Sequence, residues 1–212
     1  MTWHAPHEIP VPGPAATFAA TLSGLLPVIE TARLRLRAPT LADFDAWAEI
    51  FTGPAGPHLG GPFDREDAFT EFAAACGLWL LRGHGVWTVD LKSGGQPLGF
   101  VLIGFEPGDQ EPELGYLFRP SAEGQGYATE AARALRDHAF TAMGMDRLVS
   151  YIDPENPRSS RVADRLGATR IADFDGAQVW LHQGVAQKGV STRVETEGRR
   201  MEDVVKTSKR GD

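Results

Sequence analysis

Cysteine is almost missing from this chain. Cys76 is the one thiol in 212 residues, so no internal disulfide can form, and a cytoplasmic, reducing location is expected. Long apolar runs are missing as well. Nothing approaches the ~18 consecutive apolar residues of a membrane helix, so no membrane span is expected. The opening residues, MTWHAPHEIPVPGPAATFAATLSGLL, lack the basic start of a signal peptide. His58, His84 and His138 share no metal-ligand spacing, so no metal is expected and each reads as a surface or packing histidine. No internal repeat occurs. Positive charge is in short supply, with 21 Lys and Arg against 28 Asp and Glu. The thirty residues from Gln183 carry seven basic and five acidic side chains, so the net −7 of the chain leaves −9 on residues 1–182. An acidic body argues against nonspecific nucleic-acid binding and would attract cationic substrates such as amines.

What is present reads as one domain with extensions. Residues 1–27 are rich in Pro, Ala and Gly and form an arm, in which Phe18 to Leu26 is weakly amphipathic and is expected to pack against the domain. Residues 28–182 form the domain, and the polar stretch 183–212 is expected to be a flexible tail. Ile29 to Arg37 alternates as a half-buried strand. Thr40 with Asp43 opens a helix whose apolar face holds Phe44, Trp47 and Phe51. Gly53 to Gly61 is a loop, and Asp64 to Leu81 is helical again, with Cys76 on its apolar side as a core residue. Val86 to Leu91 and Leu98 to Phe105 make a hairpin around KSGGQP. Glu113 to Phe118 is a strand, and a helix to Met143 follows it. Then come a strand at Arg147 to Ile152, a short helix to Leu166, and strands at Thr169 to Phe174 and Gln178 to Leu181. The order predicts an α/β mixed sheet with helices on both faces.

The segment EPELGYLFRPSAEGQGYATEAARALRDHAFTAM, Glu111 to Met143, carries the chemistry. Gly124 and Gly126 let the chain tighten and approach a ligand closely, since neither has a Cβ. The helix starting near Gly126 or Tyr127 presents unpaired amides and a positive dipole end, which suits a phosphate or diphosphate. A Rossmann fold would place such a loop after its first strand, and a P-loop would follow the glycines with Lys and Ser or Thr. Neither holds here.

A strand, GQGYATEA, a helix, another strand and then NPRSSRVADRLGA resembles the GNAT superfamily of acetyl-CoA-dependent N-acetyltransferases over residues 28–182. TARLRLRAPTLADFDAW resembles the branch that contains ribosomal-protein N-terminal acetyltransferases. The resemblance implies a mostly antiparallel sheet splayed at a cofactor cleft, and acetyl-CoA as cosubstrate. It assigns Gln125, Gly126, Tyr127, Ala128 and Thr129 to the diphosphate, and Asn156 to the pantetheine. It places Ser159 where some members hold a hydroxyl near the thiolate. Leu117 and Phe118 fall where the central strand usually bulges, so that pantetheine amides can pair with main chain. Glu123 stands where the family often has Arg or Gln, and is expected to turn to solvent. Ala163 stands where many members have a catalytic tyrosine, which leaves Ser159 or a solvent proton for the thiolate.

The implied reaction is direct attack of a primary amine on the thioester. Glu113 is the candidate base, acting through water. Plainer readings stand beside these roles: an exposed strand charge for Glu113, a helix cap for Ser159, a turn former for Asn156, core packing for Tyr116. Phe63 and Trp87 are further candidates for the acceptor cleft. A protein N-terminus or a small amine would be the acceptor, and the arm and closing strands would support a homodimer. The alternative is a noncatalytic acyl-CoA-binding or sensing module, motivated by Glu123 and Ala163. A protein-interaction domain is a third reading.

Overall fold

The structure, a computed structural model, describes residues 4–184. The chain runs α1 (Pro14–Leu25), β1 (Ile29–Glu30), β2 (Leu34–Arg37), α2 (Phe44–Phe51), α3 (Arg65–Arg82), β3 (Val86–Leu91), β4 (Gly99–Gly104), β5 (Glu113–Phe118), α4 (Tyr127–Thr141), β6 (Arg147–Ile152), α5 (Pro157–Arg165), β7 (Thr169–Phe174) and β8 (Ala177–Gln183). Eight strands form one sheet in the order β1-β2-β3-β4-β5-β6-β8-β7. Every pairing is antiparallel except β5 with β6, which α4 connects as a crossover.

The period-2 pleat sorts the strands' side chains into two cores. Trp87, Val89, Val101, Ile103 and Leu114 face Ala131, Leu135 and Ala139 of α4. Val86 and Phe100 face the other way, onto Phe44, Trp47 and Phe51 of α2 and Phe72 of α3. A buried polar cluster fixes α2 against the sheet. Arg37 donates to both oxygens of Asp43 at 2.7 and 2.8 Å, and Thr40 and Thr88 donate to the same carboxylate. Burial pushes the Asp43 carboxyl up, but the Arg37 and Thr40 hydrogen bonds outweigh it and leave the group below its usual range. Thr40 and Asp43 form the expected capping box, on a short 3₁₀ turn that leads into α2.

Three expectations need correction. The strand from Ile29 to Arg37 is broken in two: β1 folds back on β2, with Ile29 opposite Leu36. Thr31 closes that turn by accepting the Leu34 amide at 2.8 Å, while its hydroxyl donates to Glu130 of α4 at 2.6 Å. The arm does not pack through its helix. Phe18 and Leu25 of α1 are 65% and 76% exposed. The attachments lie on either side of α1, where Glu8 accepts from Arg65 at 2.6 and 2.9 Å and the Pro27 carbonyl accepts from Trp87 at 2.9 Å. Trp87 itself is fully buried against Trp79 and lines no cleft. The tail beyond Gly184 lies outside the described residues.

Candidate active site

β5 and β6 meet only at their start. Glu113 lies opposite Val149, the Val149 amide donates to the Pro112 carbonyl at 3.0 Å, and Ser150 Oγ donates to the Leu114 carbonyl at 2.7 Å. Beyond that point the strands part. No bulge causes the opening, because β5 keeps continuous register with β4 from Glu113 opposite Gly104 to Phe118 opposite Gly99. The divergence of β6 makes the gap instead. The Arg119 amide donates to the Leu98 carbonyl, so alternate residues Leu117 and Gly115 also turn their main chain towards β4. Tyr116 and Phe118 therefore aim theirs into the gap. Of the expected pantetheine partners, Phe118 offers main chain there and Leu117 contributes a side chain to the wall.

The gap continues into a cleft of about 1550 Å³. One end is the turn Glu123 to Gly126 with the first residues of α4. Gly126 adopts φ 79° and caps α4 without a side-chain contact. Among the described residues, no hydrogen bond takes up the amide of any residue from Gly124 to Thr129. The residues that carry these donors line the cleft, and a helix start with unengaged amides suits a diphosphate. Arg33 braces the turn from outside. It donates to the Gln125 carbonyl at 3.1 Å, pairs with Glu130 at 2.6 Å and lies 4.5 Å over the Tyr127 ring. Arg158, Arg161 and Arg165 of α5 and Arg133 of α4 line the same end, in an otherwise acidic protein. The sequence reading missed them, although positions 158, 161 and 165 fall on one face of a helix. Glu123 is exposed, as expected, and it pairs with Arg158, which offsets the carboxylate's charge beside the unengaged amides of the turn.

In the middle, Asn156 caps α5 by accepting the Ser159 amide at 3.2 Å, so Asn156, rather than Ser159, is the helix cap. The Ser159 hydroxyl makes no hydrogen bond among the described residues, and the residue lines the cleft. The Tyr116 hydroxyl donates to the Ser159 carbonyl at 2.8 Å, tying β5 to α5. Ala163 is fully buried, so a tyrosine would not fit there without displacing its surroundings. Glu113 stands where β5 and β6 separate, behind the residues that line the cleft. It is half-buried, and it accepts the Tyr151 amide at 3.3 Å. Burial, with Glu106 and Asp109 nearby, raises its pKa to about 8.

α2 and the loop after it also line the cleft, through Glu49, Ile50, Ala55, His58 and Leu59. Arg119 at the end of β5 holds Glu49 at 2.6 Å. His58 meets Asp153, just beyond β6, at 2.6 Å. Cys76 takes no part. Burial pushes its thiol up to about 12, as befits a packing residue. Among the described residues, no cluster of three or more His, Cys, Asp or Glu side chains could hold a metal.

Comparison with known proteins follows the same outline. The family described as acetyltransferase (GNAT) domain matches residues 33–169, more than half of the chain. An uncharacterized N-acetyltransferase of Bacillus subtilis is 36% identical over 148 residues, which cover 69% of this chain and 85% of that protein. An acetyltransferase crystal structure from Agrobacterium tumefaciens superimposes with a TM-score of 0.71 at 36% identity, covering 75% of this chain and 95% of the other. A ribosomal L7/L12 α-N-protein acetyltransferase, solved with coenzyme A, shares the fold at TM-score 0.61 and 19% identity, over 74% of this chain and 98% of its own.

Proposed function

The chain belongs to the acetyltransferase (GNAT) family and is an acetyl-CoA-dependent acyltransferase, and we propose that it moves the acetyl group onto the primary amine of a peptide N-terminus or small molecule by direct attack. The row of unengaged amides from Gly124 to Thr129, opening into the same cleft as the gap between β5 and β6, carries this reading. A diphosphate at the amides leaves room for an extended pantetheine arm along the exposed main chain of Tyr116 and Phe118. Gln125, Gly126, Tyr127, Ala128 and Thr129 hold the diphosphate, with the arginines of α5 adding charge. Leu117, Phe118 and Asn156 flank the arm.

The amine attacks the thioester carbonyl carbon, the C–N bond forms and the C–S bond breaks. Glu113, acting through water, takes the proton that the nitrogen sheds on bonding. Its raised pKa suits a base working on an α-amine, which itself titrates near ~8. Ser159, whose hydroxyl is free, delivers a proton to the departing thiolate. The structural relation to a ribosomal-protein acetyltransferase and the acidic body both favour a cationic peptide terminus as acceptor. A cytoplasmic location and a homodimer accord with this role.

A mass-spectrometric screen of peptides and small amines with acetyl-CoA tests the reading, alongside calorimetry with CoA. Acetylation at an amine nitrogen is the expected result. Tight CoA binding without transfer to any acceptor would instead identify a sensing module, and no CoA binding would overturn the site altogether.

A further inference from the structure

Resting on that reading of the cleft, we propose that His58 and Asp153 form a proton-accepting pair that strips the incoming ammonium before it attacks. The two residues lie 95 positions apart, on the loop after α2 and the loop after β6. His58 lines the same cleft as Tyr116, Ser159 and the glycine turn. Its side chain and that of Asp153 are 29% and 31% exposed, open enough to meet a substrate and sheltered enough to keep their geometry.

The tautomer follows from the partner. An ionised carboxylate only accepts, so His58 Nδ1 must donate to Asp153 Oδ2 across the 2.6 Å contact. Nε2 is then left with its lone pair free, and no hydrogen bond among the described residues uses it. Asp153 is anchored in turn. Its other oxygen accepts the Glu155 amide at 2.8 Å and its carbonyl accepts the Asn156 amide at 2.8 Å. The hydrogen bond from His58, followed by that from Glu155, holds the Asp153 carboxyl below its usual range, consistent with an ionised partner. Gly56 keeps the His58 turn close to α2, because a Cβ there would lie 2.1 Å from the Phe51 carbonyl oxygen. The other charged groups along this part of the cleft are Glu49, engaged by Arg119, Arg158, engaged by Glu123, and Glu155; the Tyr116 phenol is bonded to the Ser159 carbonyl.

The proton count calls for such a group. An ammonium carries three N–H bonds and the product amide one, so two protons leave the nitrogen. One leaves before attack, to His58 Nε2. The other leaves on bonding, to Glu113 through water. One proton ends on the CoA sulfur and the other in solvent. His58 is the catalytic residue of the pair and Asp153 a positioning residue.

The test is kcat/KM against pH for His58→Gln, Asp153→Asn and Glu113→Gln with a peptide α-amine. At pH 7 only about a tenth of an amine titrating near ~8 is neutral. His58→Gln should therefore lose about tenfold at pH 7 and approach the parent enzyme above about pH 9, where the amine needs no help. Asp153→Asn should show a smaller loss at pH 7, because an uncharged amide no longer stabilises the imidazolium that forms when the proton arrives. His58→Ala should regain activity with added imidazole, a response no merely structural histidine gives. CoA affinity and thermal midpoint should stay unchanged in the His58 variants. A His58→Gln loss constant at all pH values, or absent, without imidazole rescue of His58→Ala, overturns the pair while leaving acetyl transfer standing. If the parent transfers to no amine, both proposals fall.

Discussion

Two parts of the cleft are made of different materials. The part proposed for the phosphate is main chain, a row of amides released by the αL conformation of Gly126 and by the start of α4. The part proposed for the acceptor is side chain, with Glu49 held by Arg119 and His58 by Asp153 across 70 and 95 positions of sequence. An amide donor survives almost any change of side chain. A paired imidazole does not survive the loss of either member. On the proposed assignment, a cofactor common to a whole family is held by what substitution cannot readily remove, and an acceptor particular to one enzyme by what substitution readily changes.

The largest effect should come from a bulky side chain placed within the main-chain part. Gly126→Val puts a β-branched residue at φ 79°, where strain of about 1–3 kcal/mol is expected. Paid on binding, that corresponds to roughly 10–100-fold weaker CoA affinity by calorimetry, with little change in KM for the amine. Gln125→Ala and Thr129→Ala on the same wall should change affinity by less than about threefold, since their amides remain. Equal losses in all three would show that side chains hold the diphosphate, and the contrast between the two parts would disappear.

The same contrast explains what the sequence disclosed. The glycine turn, the capping box at Thr40 and the mixed sheet are all written in short spacings, and each is found as expected. The break between β1 and β2 left only a faint trace, a phase slip that puts Ile29 out of step with Leu34 and Leu36. What ends β1 is Glu130, roughly a hundred residues away, bonding to Thr31 and Arg33. His58 read as an ordinary surface histidine for the same reason: its partner is set by how two loops meet. The arginines of α5 were legible in principle, at helical spacing, but the glycine motif beside them drew the assignment. The openness of α1 was not legible, because a short apolar stripe reads the same whether or not anything covers it.

Glu113 stands behind both parts of the cleft and separates two kinds of pH dependence. As an acid raised to about 8, it binds more protons folded than unfolded between about pH 4.5 and 8. The parent protein should therefore lose stability as pH rises through that window. Glu113→Gln should flatten the decline, read as thermal midpoint against pH. It should also remove the rate limb near pH 8 and leave the effect of His58→Gln at pH 7 in place. A changed stability profile with an unchanged rate profile would make Glu113 a buried structural acid.

The smallest effect belongs to Glu123, where a side chain intrudes on the main-chain part. Its pair with Arg158 is exposed, 73% on the arginine side, and pairs of that kind contribute about 0–1 kcal/mol. Glu123→Gln should leave stability unchanged. It also removes a negative charge beside the diphosphate amides and frees Arg158 to turn into the cleft. Both changes act in the same direction, so CoA should bind more tightly, by about two- to fivefold at low salt. The gain should fade as ionic strength rises and the Debye length shrinks. Arg158→Ala should do the reverse, because it leaves Glu123 unpaired beside the phosphate site. If Glu123→Gln weakens CoA binding, the carboxylate is itself a ligand or a brace for the turn, and the main chain does not hold that part alone.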